Sequence, residues 1–211
     1  VFRRLAAGSP REPSPADDKQ VTMASASRAL EDIDTSPVGF ALFDHVLITV
    51  HPSECAVLEH FAQRLVIRGA AGAEGRVAVR LPSSPADLML RMVNHMVDSY
   101  LELRRLLTRQ LGYLQQELFN PGSSFDNWQM LLESRNALHL LEDTCEDQRS
   151  ALQEWIDALD EWPEETDKQA RRERELLRVR SRDALEHVER VLSHVRRLEQ
   201  SAETAVQMHF S

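Results

Sequence analysis

The sequence predicts an α+β protein: a small, incomplete α/β unit over residues 1–81, followed by a region of long helices over residues 82–211. Three observations lead to this prediction. The first third of the chain has short β-branched runs separated by Pro, Gly and Ser. The remainder has apolar residues at helical spacing with no strand signal, and its last stretch carries a heptad repeat. We therefore expect the last helix to be a long stalk.

The α/β unit is predicted to contain a β-hairpin. Its first arm is Val38–Phe43, and its second arm is the β-branched run Val46–Val50. Asp44 and His45 form the turn between the arms. Residues 1–6 are a further candidate strand. Because so few short strands offer little sheet for helices to cover, we expect the unit to be incomplete.

One amphipathic helix is predicted after the hairpin. Ser53 is its candidate N-cap, and Gly69 stands just past its expected end. Between them, apolar residues recur at four-residue spacing: Val57, Phe61 and Leu65. Two neighbouring stretches are less decided, because residues 23–33 fit no single pattern and residues 70–85 form a connector with room for a short strand.

Three long helices are predicted in the second region: about 85–120, 124–161 and 164–211. The first has Ser84 as its N-cap and Pro85 at its first helical position. A Pro-Gly-Ser-Ser stretch ends the first helix, and Pro163 ends the second. The third has no Gly, Pro or Asn to stop it, so we expect it to continue beyond Ser211.

Each long helix carries an apolar stripe, and the third has the most regular one. The stripe of the first helix consists of Met89, Val93, Met96, Tyr100, Leu103, Leu107, Leu111, Leu114 and Leu118. That of the second consists of Leu131, Leu138, Leu141, Cys145, Leu152, Trp155 and Leu159. That of the third consists of Ala184, Val188, Val191, Val195, Leu198, Ala202 and Ala205. These heptads call for partner helices, either in the same chain, as in an antiparallel three-helix bundle, or in another chain.

Composition excludes several classes of protein. The formal net charge of −9 argues against a nucleic-acid binder, which needs a basic surface. Cys55 and Cys145 lie far apart in different kinds of segment, which favours a reducing cytosol over a disulfide scaffold. The apolar runs are too short for a signal peptide or a membrane span.

The motif content does not suggest an enzyme. The chain has no nucleophile elbow, phosphate loop, CxxC pair or HExxH motif. A metal-dependent hydrolase built on Asp/His pairs is the remaining enzymatic hypothesis, and no convergent pocket motif supports it.

Acidic residues are concentrated at the end of the second long helix. Residues 142–167 hold eleven carboxylates against one arginine. Such a block is typical of a solvated face, and it can also attract hard cations such as Mg2+. The candidate cation-attracting residues are Glu142, Asp143, Glu146, Asp147, Glu154, Asp157, Asp160 and Glu161. The basic stretch Lys168–Arg182 follows, and it could pair with the acidic helix within the chain or between subunits.

A second candidate metal site lies on the third long helix. Asp183 and His187 are one turn apart on one face, and Glu186 stands beside them. An Asp–His pair at this spacing can bind a divalent cation, although the same spacing also occurs on solvent-exposed faces without a ligand.

The order of these parts resembles the cytosolic region of CorA-type divalent-cation transporters. Three stretches carry the resemblance: Phe40–Glu54, with Leu-Ile-Thr-Val-His at residues 47–51; Asp87–Phe119; and Arg180–Val195, with Arg-Asp-Ala-Leu-Glu-His-Val at residues 182–188. The similarity covers nearly the whole chain in order.

The resemblance implies a homopentameric Mg2+ transporter of the inner (plasma) membrane, with this region on its cytoplasmic side. The third helix would continue into the first membrane span, and the Gly-Met-Asn loop of the family would lie beyond Ser211. The chain begins with Val rather than Met, so we expect a fragment that reaches the membrane only through segments absent from it.

The resemblance also assigns roles to residues. Asp183 matches the stalk aspartate that helps bind regulatory Mg2+ between subunits, and Glu186 and His187 match the Asp-His that follows it. Two positions where the family often has acids are Asn94 and Gln207 here, so the regulatory site is expected to be weaker or differently built. The transported ion stays open among Mg2+, Co2+, Ni2+ and Zn2+, because zinc-transporting relatives share the architecture.

A soluble coiled-coil scaffold or oligomerisation module is the alternative function. In that case the heptads would pair with partner proteins and the acidic residues would keep the chain soluble.

Overall fold

The computed structural model describes residues 2–4, 33, 35–70, 81–120 and 125–210, including the side chains of all of these except 67–70. A three-stranded sheet precedes four helices. The strands are β1 (Phe2–Arg3), β2 (Pro37–Leu42) and β3 (Leu47–Val50). The helices are α1 (Ala56–Ala70), α2 (Pro85–Leu118), α3 (Trp128–Glu161) and α4 (Lys168–His209). The α+β class with long helices at the end is confirmed.

The predicted hairpin is confirmed. Strands β2 and β3 pair antiparallel, with Leu42 opposite Leu47, and the Phe43 N–H donates to the Val46 carbonyl at 2.9 Å across the two-residue turn. Strand β1 pairs antiparallel with the other edge of β2, so the sheet order is β1-β2-β3.

Helix α1 begins later than the sequence predicted. It starts at Ala56, and the carbonyl of the buried Cys55 accepts the first helical hydrogen bond, from the Glu59 N–H at 3.1 Å. Ser53 as N-cap was therefore wrong, and Gly69 lies inside the helix rather than past its end. Of the less decided stretches, residues 23–32 and 71–80 lie outside the described residues, as does the Pro-Gly-Ser-Ser break.

Side-chain caps set the starts of α2 and α4. The Ser84 hydroxyl accepts from the Asp87 N–H at 3.2 Å, which confirms the predicted cap with Pro85 in the first turn. In α4 the Asp167 carboxylate accepts from the Ala170 N–H at 2.8 Å. Because Asp167 provides this cap, α4 begins at Lys168 rather than near residue 164.

The three long helices pack on one another within the chain. Helix α3 runs antiparallel to α2, and α4 lies along both: Trp155 of α3 donates to the Ser181 hydroxyl at 2.8 Å, and Thr108 of α2 bonds His194 at 3.1 Å. The predicted stripes are buried, with Trp155 and Leu198 half-buried. The heptads of α4 therefore find partner helices in the same chain.

The sheet and α1 dock against α2. Tyr100 of α2 is fully buried, and its hydroxyl donates to the Arg3 carbonyl of β1. On the neighbouring surface, His95 of α2 stacks on His60 of α1 with ring centroids 4.7 Å apart. One core runs from the sheet into the bundle. The division of the chain after residue 81 stays a prediction.

Candidate metal-binding surfaces

The residues that the sequence singled out on α4 do not converge on one point. Asp183 is exposed, Glu186 is exposed and paired with Arg190 at 2.8 Å, and His187 is half-buried. Across the described ranges, these three do not form a group whose ligand atoms could close on one ion. Within one chain the cluster therefore offers separate single ligands.

His187 lies at the edge where α4 meets α2. It is two helical turns from both Arg180 and His194, so these three side chains share one side of α4. Arg180 contacts Asp87 of α2 at 2.5 Å, and His194 bonds Thr108 at 3.1 Å. Burial, followed by the nearby charges of Arg104 and Arg197, lowers the pKa of His194. This edge is accordingly held in place by polar contacts to α2.

The acidic residues predicted on α3 divide into two groups. Arg196 of α4 binds Glu142 at 2.7 Å and also binds Glu146, and Arg178 binds Asp160 at 2.7 Å. The others lie on the solvent-facing side of α3: Asp143, Asp147, Glu154, Asp157 and Glu161. Their spacing of four, seven, three and four residues places them in one row, which we call the acidic ridge.

The basic stretch at the start of α4 pairs within the chain. Arg174 donates to the carbonyls of Leu159, Trp162 and Pro163 at 2.6–2.7 Å and so caps the end of α3. Arg180 extends to the buried carboxylate of Asp87, which also binds Arg91 at 2.8 Å. These arginines at the start of α4 thus bind α4 to α3 and to α2.

A further cluster, which sequence reasoning missed, lies between α3 and α4. His139, Glu142 and Glu199 each offer one ligand atom, and these atoms all lie within 4.8 Å of one another. The His139 Nε2 atom is 3.0 Å from a Glu199 carboxylate oxygen. The three-residue spacing of His139 and Glu142 is visible in the sequence and indicates a pair on one helix face. Glu199 could not be joined to this pair from the sequence, because it is on another helix. The cluster requires the antiparallel packing of α3 and α4.

Cys145 and His95 pack against other side chains of the chain. Cys145 is fully buried on the core stripe of α3, and burial raises the pKa of its thiol to about 12. His95 is half-buried between His60 and Phe61. Neither side chain belongs to a candidate metal cluster within the described part of the chain.

The comparison with known protein families gives a match. The family model described as CorA-like Mg2+ transporter protein matches residues 20–210. No curated protein matches the chain. Among the described residues, no helix combines the length and apolar character needed to cross a bilayer. The family match spans most of the chain and includes every long helix, so the chain belongs to the CorA-like Mg2+ transporter family, whose members transport divalent cations.

Proposed function

We propose that this chain is the cytosolic, ion-sensing region of a divalent-cation transporter of the inner (plasma) membrane. In this proposal the full protein is a homopentamer, and Mg2+ bound between neighbouring subunits biases the pore toward its closed state. The family match supports the association with cation transport. The sensing role rests on one further observation, the environment of Asp183.

Asp183 is an exposed carboxylate on a rigid helix. Its neighbours along the chain are used elsewhere, since Ala184 is in the core and Glu186 pairs with Arg190. In the described part of the structure Asp183 has no hydrogen bond or ion pair to satisfy it. Helix α4 has 42 residues, about 63 Å at ~1.5 Å per residue, and α2 and α3 pack along it. A charge at this position can therefore act on a second subunit without first breaking a contact in its own.

The chemistry of this position fits Mg2+ in part. Mg2+ retains several waters and binds proteins through one or two carboxylates. Asp183 supplies one such oxygen, and a second subunit would have to supply any other protein ligand. His187 is a poorer ligand for Mg2+, because imidazole suits zinc, copper and nickel better.

The acidic ridge supports the same function indirectly. Its five carboxylates are exposed on one helix face, and their combined negative field raises the local concentration of cations. Mutual repulsion of such faces in an oligomer would weaken when divalent cations are abundant. The coupling is a linkage: an ion that binds one arrangement of subunits better than another shifts the equilibrium toward it.

The scaffold alternative loses its main argument. It rested on heptads that would need partner proteins, but the described helices cover the heptad residues of α4 within the chain. The packing therefore favours the transporter proposal over a partner-binding coiled coil.

The test is the response of the purified chain to Mg2+. We expect millimolar Mg2+ to raise the thermal midpoint or the oligomer fraction in sedimentation velocity. Asp183→Ala should weaken this response, whereas Glu189→Ala, which removes the same charge from an exposed position of α4, should retain it. A wild-type chain that does not respond to Mg2+, or equal responses of the two variants, would contradict the proposal.

A further inference from the structure

We infer that His139, Glu142 and Glu199 form a binding site for a transition-metal dication such as Zn2+, Ni2+ or Co2+, and that Arg196 competes with the metal for this site. All three ligands come from one chain. The inference is therefore independent of the proposed Mg2+ response between subunits.

The ligand atoms are arranged nearly as they would be around a bound ion. The three ligand atoms lie within 4.8 Å of one another, and His139 Nε2 is 3.0 Å from the Glu199 oxygen. Ligands about 2.0–2.2 Å from a zinc ion lie roughly 3–4 Å from each other, so rotamer changes alone can close the set. One nitrogen and two oxygens leave a fourth position for water.

The helices hold the ligands in place. Leu138 and Leu141, each immediately before one of the two ligands on α3, are fully buried, and Leu198 next to Glu199 packs against the same core. The backbone of each ligand is therefore fixed. The two carboxylates are half-buried and His139 is exposed, so an ion can reach the site from solvent.

The ligand set selects the class of metal. An imidazole nitrogen suits zinc, nickel, cobalt and copper, whereas Mg2+ and Ca2+ prefer oxygen ligands alone. The cluster is therefore suited to ions different from the one assigned to Asp183. One chain would thus respond to two kinds of dication at two places along α4.

Arg196 pairs with one of the three ligands, Glu142. Its guanidinium donates to Glu142 at 2.7 Å and also to Glu146. A dication bound by Glu142 would repel this guanidinium. Arg196 would then have Glu146 as its remaining partner. Metal binding thus exchanges one cation for another at Glu142, and it links α3 to α4 through three ligands.

The experiment is calorimetric titration of the chain with Zn2+ alone. We expect one site that excess Mg2+ does not occupy. His139→Gln should weaken Zn2+ binding about ten-fold or more, since even outer-shell changes at metal sites cost roughly 10–100-fold in affinity. Arg196→Gln should tighten binding, because it removes the competing cation. His45→Gln, in the exposed hairpin turn, is the matched control and should bind Zn2+ as the wild type does.

Three results would overturn the inference. The first is no Zn2+ binding by the wild type, and the second is Zn2+ binding that His139→Gln leaves unchanged. The third is weaker binding by Arg196→Gln. Circular dichroism of each variant checks that it is folded, and the substituted side chains are half-buried or exposed, so the bundle should persist. Loss of the Mg2+ response in Asp183→Ala with Zn2+ binding intact would separate this site from the proposed sensor.

Discussion

The helix bundle and the sheet unit differ in how completely they bury their apolar side chains. In the bundle, stripe residues such as Leu138 and Val188 have no exposed surface. In the sheet unit, Val50 is 71% exposed and Ile48 is 48% exposed, although both lie in β3. Both parts are rich in apolar residues, but the bundle buries its apolar stripes, whereas β3 leaves apolar side chains exposed in the described chain.

The difference shows where the stability of the chain comes from. Burial of apolar surface is the main favourable contribution to folding, and the long helices supply most of it here. Strand β3 leaves apolar side chains in contact with water. We therefore expect substitutions in the bundle to change the free energy of unfolding far more than substitutions in β3.

The largest expected effect is in the bundle core. Leu138→Ala should lower the free energy of unfolding by about 2–5 kcal/mol, because it removes a fully buried side chain and leaves a cavity. Urea denaturation measures the loss. Leu132→Ala, on the same helix but 59% exposed, is the matched control and should change stability by less than about 0.5 kcal/mol. Similar losses for both variants would contradict the burial described here.

The next effect concerns the buried carboxylate that joins α2 to α4. Asp87→Ala should cost about 2 kcal/mol, because Arg91, Arg180 and the Ser83 N–H lose their acceptor while both guanidinium groups stay partly solvated. The same urea titration measures it. Asp87→Asn retains an acceptor for the Ser83 N–H and should lose less. Equal losses in the two variants would show that the charge alone matters, and no loss in Asp87→Ala would contradict the account.

The smallest effect lies where the sheet unit meets the bundle. Burial, and then the neighbouring His60, Arg4 and Arg64, lower the pKa of His95, while Asp98 opposes them. The unfolded chain therefore binds a proton at this position at higher pH than the folded chain does. Stability should fall as the pH drops through the ordinary histidine pKa of about 6.5, and the loss should level off below the folded pKa.

A pair of variants isolates this effect. Urea midpoints at about pH 7.5 and about pH 5.5 should differ less in His95→Gln than in the wild type. His45→Gln, in the exposed hairpin turn, should retain the wild-type difference. If His95→Gln also retains it, the stacked histidines do not contribute to the pH dependence.

The bundle was predictable because its signals are local and repeated. Gaps of four and three residues identify a helix face without reference to any other segment, and the cap of α2 is readable in Ser84-Pro85. The start of α1 was less predictable. Ser53 looked like the better cap, but the buried Cys55 precedes the helix, and its burial in the tertiary structure is not readable from the local sequence.

The candidate sites show more clearly what could not be predicted from the sequence. Asp183, Glu186 and His187 could be selected from one helix, but spacing along a helix does not establish that ligand atoms meet. Glu199 could not be paired with His139, because their contact depends on the register of α4 against α3. For the acidic residues the sequence predicted the charge, but not that Arg196 would neutralise two of them.

The central claim, that Mg2+ is sensed between subunits, is tested most directly by measuring Mg2+ binding at several protein concentrations. If Asp183 shares the ion with a second subunit, the Mg2+ concentration at half-saturation should fall as the protein concentration rises, because binding and association are linked. Asp183→Ala should abolish this dependence. A half-saturation point that stays constant across protein concentrations, or that Asp183→Ala leaves unchanged, would contradict the account.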